Sequence, residues 1–290
     1  MLFVLPFALG FFLVFIIPIC VAVYQSFFRS VPKGGGAYGG GELVKQFVGL
    51  DNFREVVQNE RFWLGMGRVF LYGAIQIPVM IIAALLLALM IDSLVVKHVS
   101  VFRLGNFLPY AIPGVVAAML WMYLYTPEIS PIVKALAAVG IHVNFMAPNI
   151  ILASMANMTT WTYTGYNMLI FLAALQSIPK DLQEAARLDG ASGWQIVWNI
   201  KVPLVRGAAL LAVLLSIIGT VQLFNEPMIL QVSNQWMGKD YTPMMLAYNT
   251  MMGSLSPSGD GPGSAASIVM ALVAALLAAV YAVAQRRTEK

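Results

Sequence analysis

One polar, patterned segment interrupts a chain that is otherwise mostly apolar, and it reads EAARLDGASGWQIVWNIKVP from Glu184 to Pro203. The segment carries acidic, basic and amide side chains together with two glycines and a final proline. Long hydrophobic stretches flank it on both sides. In a chain of this composition, such a segment indicates a surface that is offered to a soluble partner.

The first half of the segment has the signals of a short helix. Pro179 falls where a first helical turn is expected, a position that tolerates its missing N–H. Asp181 and Glu184 lie near the N-terminal end and Arg187 near the C-terminal end, as the helix dipole favours. Gly190 follows at a position suited to positive φ. The pattern therefore predicts a helix that ends at Gly190.

The second half has the signals of another helix. Ser192 and Gln195 have the spacing of a capping box, and Ile196 and Ile200 supply an apolar face. Pro203 is predicted to end this helix and to open the next hydrophobic stretch. Two short helices joined at a glycine are therefore expected.

Composition places the chain in a lipid bilayer. Its 290 residues are 60% hydrophobic and only 10% charged, whereas soluble proteins carry about 25% charged residues. The net charge of +4 has no dense basic run, so nucleic-acid binding is not expected. The single cysteine, Cys20, lies in an apolar stretch, so neither an internal disulfide nor a metal site is predicted.

Six apolar segments are long enough for membrane helices, which need about 20 residues each. They are Met1 to Phe28, Val69 to Ile91, Leu104 to Pro127, about Ile150 to Pro179, Gly207 to Asn225 and Gly261 to Gln285. Helices satisfy the backbone within lipid, and no alternating strands appear. A signal peptide is the alternative for the first segment, but it lacks a charged n-region and is too long. The fold expected is an all-α integral membrane protein with six transmembrane helices in one domain, 1–290.

The distribution of Lys and Arg predicts the orientation of the chain. One side of the six-helix arrangement would hold Lys97, Arg103, Lys180, Arg187, Lys201, Arg206, Arg286, Arg287 and Lys290. The short loops on the opposite side hold only Lys134 and Lys239. Both termini and a loop at about 177–205 are therefore predicted to be cytoplasmic. An external loop at about 29–68 carries six basic residues, against the trend; its glycines, Gly34–Gly36 and Gly39–Gly41, favour a flexible linker.

The polar segment resembles the cytoplasmic loop of ABC importer permeases, whose pattern is Glu-Ala-Ala, three residues, Gly, nine residues, Ile, one residue, Leu-Pro. The chain matches at Glu184–Ala186, Gly190, Ile200 and Pro203. It has Val202 in place of the family's leucine, which keeps an apolar side chain. Further likeness to the sugar-uptake branch lies in 173–179, 188–192, Phe47–Phe53, Arg103 with Pro109, and Phe224–Pro227.

The resemblance implies a type I permease fold and a set of partners: a second permease subunit, two cytoplasmic ATPase subunits and an external substrate-binding protein. The ATPases would bind ATP–Mg, and no cofactor is expected in this chain. The short helix from Gly190 to about Trp198 would insert into a cleft of the ATPase. The coupling residues so implied are Glu184, Ala185, Ala186, Asp189, Gly190, Ala191, Ser192, Trp194, Ile200 and Pro203.

Polar and aromatic residues in or near the apolar segments are candidates for a substrate path. They are Trp121, Tyr123, Tyr163, Tyr166, Asn167, Asn225 and Glu226. Interfacial belts and helix packing are the commoner use of such residues, although a charge within a membrane is a functional candidate. The segments hold no Lys or Arg in their interiors, which favours a neutral mono- or oligosaccharide over an anion.

Other function classes remain as alternatives. The chain has no Walker-type phosphate loop, so it is not predicted to be the ATPase or an enzyme. An ion-coupled secondary transporter would be expected to show mid-membrane charge pairs and inverted repeats, and an intramembrane enzyme a catalytic Ser/His or Asp pair. An ABC importer of glycerol phosphate or another small solute is the nearest alternative.

Overall fold

The computed structural model describes residues 2–33, 42–93, 98–255 and 258–288. The predicted glycine linker, Lys97 and Lys290 lie outside these residues. Thirteen helices are described: α1 Leu5–Ser26, α2 Asp51–Gln58, α3 Glu60–Asp92, α4 Val99–Ala111, α5 Gly114–Tyr125, α6 Pro131–Ala138, α7 Ile151–Gln176, α8 Lys180–Leu188, α9 Gly193–Leu204, α10 Arg206–Val221, α11 Asn225–Ser233, α12 Pro243–Met251 and α13 Asp260–Thr288. The predicted helical class is confirmed.

Three helices are long and apolar enough to cross a membrane alone, namely α1, α3 and residues Asp260–Gln285 of α13. Two bent pairs, α4 with α5 and α9 with α10, raise the number of candidate spans in the described residues to five. The remaining predicted segment forms α7, whose 26 residues make a helix of about 39 Å. Polar side chains along α7 make it less apolar than the three helices that could each cross a membrane alone.

Two predicted segments differ from the structure in detail, both at prolines. The segment Leu104 to Pro127 is not one straight helix, because α4 and α5 meet at a bend of 97°. Ile112 is extended (ψ 130°), as expected of a residue that precedes a proline. Pro203 does not end its helix, since α9 runs on to Leu204 and a bend of 57° follows. A π-helical turn, Val197–Lys201, precedes Pro203.

A β-hairpin lies within the predicted external loop. Strands β1 (Phe28–Lys33) and β2 (Glu42–Phe47) pair antiparallel, with Phe28 opposite Phe47. The buried Asn52 amide donates to the carbonyls of Ser26 (2.7 Å) and Phe28 (2.8 Å). Its side chain therefore holds the end of α1 and the start of β1 against α2. Gly49 has φ +57° at the turn that leads into this helix.

The residues pack as two compact units. One unit combines residues up to Arg68 with Gln235–Leu276, and the other combines Val69–Asn234 with the residues from Leu277 onward. In the second unit, small and apolar residues of α3 pack against the C-terminal half of α7. This cluster contains Ala84, Ala88, Ile91, Met168, Phe171, Leu172, Leu175, Ile178 and Val205.

Candidate functional site

The polar segment folds as two short helices joined at Gly190, as predicted from its local signals. Gly190 has φ +84°, which a residue with a Cβ atom rarely adopts. Its N–H donates to the Arg187 carbonyl (3.1 Å), and the Ala191 N–H donates to the Ala186 carbonyl (2.9 Å). These bonds satisfy carbonyls that the end of α8 would otherwise leave free. Pro179 is the N-cap of α8 and lies just before its first turn, one position earlier than predicted.

The start of α9 is fixed by the predicted capping box. The Ser192 hydroxyl accepts from the Gln195 N–H, and the Gln195 side chain accepts from the Ser192 N–H (2.7 Å). The π-helical turn Val197–Lys201 then follows; such turns are rare and occur frequently at functional sites.

Most of the residues assigned to coupling lie on the surface of this segment. Trp194 is 70% exposed, and its ring meets that of Trp198 edge to face, with centroids 5.4 Å apart. Exposed aromatic patches of this kind mark interaction sites. The remaining exposed members are Glu184, Ala185, Asp189, Gly190, Ser192 and Pro203, and the half-buried ones are Ala186, Ala191 and Ile200. Their coupling role stays a prediction.

Lys201 is buried, and the sequence did not indicate its partner. Its Nζ donates to the Asp92 carboxylate at the end of α3, with 2.5 Å between the two atoms. Only 9% of the Lys201 side chain and 16% of the Asp92 side chain are exposed. The polar segment is therefore tied to α3 by a buried ion pair.

A cavity of about 280 Å³ lies in the second unit, among α3, α4, α7, α10 and the start of α11. It is lined by Tyr72, Gln76, Met80, Tyr110, Thr159, Tyr163, Tyr166, Asn167, Ala212, Leu215, Ser216, Gly219, Thr220, Gln222, Leu223, Phe224, Asn225 and Glu226. Five of the seven candidates for the substrate path are among them. The structure thus brings together side chains that are up to 63 positions apart in the sequence, from Tyr163 to Glu226.

Three tyrosines form an aromatic wall in this cavity. The rings of Tyr110 and Tyr166 stack with centroids 4.7 Å apart and an interplanar angle of 18°. Tyr163 meets Tyr110 edge to face at 5.7 Å. The sequence had not singled out Tyr110, which follows Pro109 in the last turn of α4.

Hydroxyl, amide and carboxylate groups complete the lining. The Glu226 carboxylate accepts from the Thr159 hydroxyl at 2.9 Å and lies in the first turn of α11, where the helix dipole favours negative charge. The buried Tyr72 hydroxyl has no hydrogen-bond partner within the described residues. None of the lining residues is Lys, Arg or His, and Glu226 is the one acidic residue among them.

Trp121, one of the two remaining candidates, lies outside the cavity lining. Its ring packs against Tyr125 (5.2 Å) and, edge to face, against Trp161 (5.7 Å). Tyr123 is half exposed and also absent from the lining. These two aromatic residues fit helix packing better than a place in the cavity.

Comparison with known proteins identifies the family. Residues 60–290 match the family described as binding-protein-dependent transport system inner membrane component. The probable ABC transporter permease protein YurN of Bacillus subtilis (strain 168) is 32% identical over 223 residues, which are 75% of each chain. The sn-glycerol-3-phosphate permease protein UgpA of Yersinia pestis is 36% identical over 166 residues, 56% of this chain and 55% of UgpA.

Another relative and a crystal structure cover nearly the whole chain. The arabinooligosaccharides permease protein AraP of Bacillus subtilis (strain 168) is 28% identical over 94% of this chain and 83% of its own. A bacterial alginate ABC transporter, crystallised with an alginate pentasaccharide-bound periplasmic protein, aligns over 99% of this chain and 94% of its own. Its TM-score of 0.81 at 20% identity shows a shared fold. The chain therefore belongs to the inner-membrane permease components of binding-protein-dependent ABC transporters.

Proposed function

We propose that this chain is the permease subunit of an ATP-driven importer for a neutral sugar or oligosaccharide. The observation that carries the proposal is the cavity, where three tyrosines face hydroxyl, amide and carboxylate groups without a cation. Ligand sites in proteins are concave, largely apolar and provided with a few polar groups that fix orientation. A sugar presents C–H faces to aromatic rings and hydroxyls to the polar groups, which is the chemistry that this wall offers.

The charge of the cavity separates this proposal from its nearest alternative. A phosphate or uronate group would enter beside the Glu226 carboxylate, and the cavity lining has no cationic side chain to balance its charge. Like charges repel strongly in a medium of low dielectric, and burying an unpaired charge is costly. A neutral sugar avoids both costs and can complete the hydrogen bonding of the Tyr72 hydroxyl. The name of AraP supports this substrate class, whereas that of UgpA supports glycerol phosphate.

The polar segment, α8 with α9, supplies the connection to the motor. Its exposed tryptophans, Trp194 and Trp198, offer an aromatic surface to a cytoplasmic ATPase, which would bind the ATP–Mg. The working assembly would contain this chain, a second permease subunit, two ATPase subunits and an external binding protein. Both termini would be cytoplasmic. ATP-driven closure of the ATPases would move α9 and switch the cavity between the two sides of the membrane, without catalysis or a cofactor in this chain.

Uptake by the reconstituted complex tests the proposal. Proteoliposomes with the cognate partners are supplied separately with arabinotriose, lactose, an alginate oligosaccharide and sn-glycerol-3-phosphate, with and without internal ATP. We expect ATP-dependent uptake of a neutral sugar. Tyr110→Ala should lower that uptake about two- to tenfold, because an aromatic contact is worth roughly 0.5–1.5 kcal/mol. Tyr110→Phe keeps the ring and should stay near wild type.

Two results would contradict the proposal. The first is ATP-dependent uptake of the phosphate or of the acidic oligosaccharide without uptake of either neutral sugar. The second is uptake without ATP that follows an imposed proton or sodium gradient, which would indicate a secondary transporter.

A further inference from the structure

The buried ion pair between Lys201 and Asp92 joins the two regions to which the proposed function gives separate tasks. Lys201 is the last residue of the π-helical turn in α9. Asp92 is the last residue of α3. Their charged atoms are 2.5 Å apart, and both side chains are largely withdrawn from solvent. Since the partners are 109 positions apart in the chain, this is a tertiary contact and not a local one.

Helix α3 leads directly from this pair to the cavity. It carries Tyr72, Gln76 and Met80 on the cavity wall. Met80 precedes Asp92 by 12 residues, which is about 18 Å of helix. A helix moves its residues together along such a length unless something breaks it. Pro78 lies between Gln76 and Met80. Met80 is therefore the wall residue that is joined to Asp92 by a portion of helix without a proline.

The polar segment has chain continuity with α7, through α8, and with α10, but not with α3. Helix α9 passes into α10 through the bend at Val205. A displacement of α9 can therefore reach Ser216 and Thr220, on the α10 side of the cavity, through the backbone. It can reach the α3 side only through side-chain contacts. Val205 packs into the apolar cluster with Ala88 and Ile91, and the ion pair adds a directional contact to this packing.

The physical character of the pair suits transmission better than stabilisation. A buried ion pair loses so much hydration that its net contribution to stability is small. Its attraction is nevertheless strong at short range in a medium of low dielectric, and removing one partner leaves a costly unpaired charge. The two residues are therefore held at a fixed separation while the elements that carry them move.

We propose that Lys201 and Asp92 are positioning residues that carry the movement of the polar segment to α3, so that the α3 side of the cavity moves with the other sides in each ATP cycle. The inference rests on the proposed function, because it takes α9 as the element that the ATPase moves. Without the pair, the ATPase would still dock on the exposed face of α9 and hydrolyse ATP. Only the α7 and α10 sides of the cavity would then be driven, and fewer solute molecules would cross for each ATP.

The ratio of solute imported to ATP hydrolysed measures this coupling directly. The assay uses the reconstituted complex and whichever of the four solutes named above the wild-type complex imports. The main variant is Asp92→Ala with Lys201→Ala, which removes both charges together and so leaves no unpaired charge buried. The charge swap, Asp92→Lys with Lys201→Asp, restores the attraction in reverse. Lys134→Ala removes an exposed lysine from α6 and serves as the matched control.

We expect the double-alanine variant to assemble with wild-type subunit ratios and to hydrolyse ATP at near the wild-type rate. Its solute-to-ATP ratio should fall about tenfold, which is within the range of coupling changes seen for residues between sites. The charge swap should recover most of this loss, and Lys134→Ala should show none. A purely structural contact would alter assembly or the hydrolysis rate and leave the ratio unchanged.

The inference would be overturned if the solute-to-ATP ratio of the double-alanine variant were within about twofold of the wild-type ratio. Residues that carry coupling between two sites change it by more than this. Failure of the double-alanine variant to assemble would also overturn it, because the pair would then be a folding contact. If the wild-type complex imports none of the solutes with ATP, the proposed function fails and the inference falls with it. If the wild-type complex imports a solute with ATP and the double-alanine variant keeps the wild-type ratio, only the role of the pair is rejected.

Discussion

At the scale of single residues, Gly165 sets how closely α7 approaches α4. A Cβ atom at this position would overlap the Asn106 carbonyl and lie 2.9 Å from the Phe107 nitrogen. Gly165→Ala should therefore destabilise the fold by about 1–3 kcal/mol, as overpacking typically does. Gly105→Ala is the matched control, because nothing lies within 4 Å of its Cβ position. Thermal unfolding of the purified complex should show a lower midpoint for Gly165→Ala only; equal midpoints would contradict this contact.

The candidate site was predictable residue by residue only in part. Tyr163, Tyr166 and Asn167 stood out because polar and aromatic side chains are unusual in apolar segments. Trp121 stood out for the same reason, yet it packs against other aromatic residues away from the cavity. Tyr110 was missed because its place on the wall depends on the bend after α4. Residue type thus indicates a candidate, and tertiary structure decides whether it reaches the cavity.

At the scale of elements, α9 depends on its N-cap. The Ser192 hydroxyl accepts from the Gln195 N–H, and loss of an N-cap typically costs about 1 kcal/mol. Ser192→Ala should fray the start of α9, where Trp194 is exposed, and weaken ATPase binding several-fold. Ser192→Asp keeps a capping acceptor and should bind as the wild type does. Titration of the purified ATPase onto the reconstituted permease measures this; equal affinities for Ser192→Ala and wild type would contradict the role of the cap.

The contrast between α9 and the bent pairs shows which elements sequence patterns can predict. The turn at Gly190 and the capping box depend on residues within a few positions of one another, and both were predicted. The effects of Pro113 and Pro203 were not, although both prolines were visible. One proline bends the chain by 97° and the other lies inside a helix, because neighbouring turns and packing decide whether a helix can continue past a proline.

At the scale of the whole molecule, long-range pairs are the least accessible to sequence reasoning. Nothing in the sequence pairs Lys201 with Asp92, since opposite charges are common and the two residues are far apart in the chain. Asn52 is a similar case, because a buried amide that joins α1, β1 and α2 looks like any polar turn residue. Orientation, in contrast, follows from a summed property, the distribution of Lys and Arg.

Cysteine labelling across the membrane tests that orientation. Cys20 is the only cysteine in the chain, so Cys20→Ala gives a background without thiols. Phe47→Cys, at an exposed position at the end of β2, should react with a membrane-impermeant maleimide in intact spheroplasts. Leu188→Cys, which replaces a 90% exposed residue at the end of α8, should react only after detergent lysis. The reason is that basic loops are retained on the cytoplasmic side, and the loop that carries Leu188 holds Lys180, Arg187 and Arg206.

The Cys20→Ala background should stay unlabelled in both conditions. Labelling of Leu188→Cys in intact spheroplasts, with Phe47→Cys protected, would invert the orientation and place the exposed tryptophans of α9 where no ATPase could reach them.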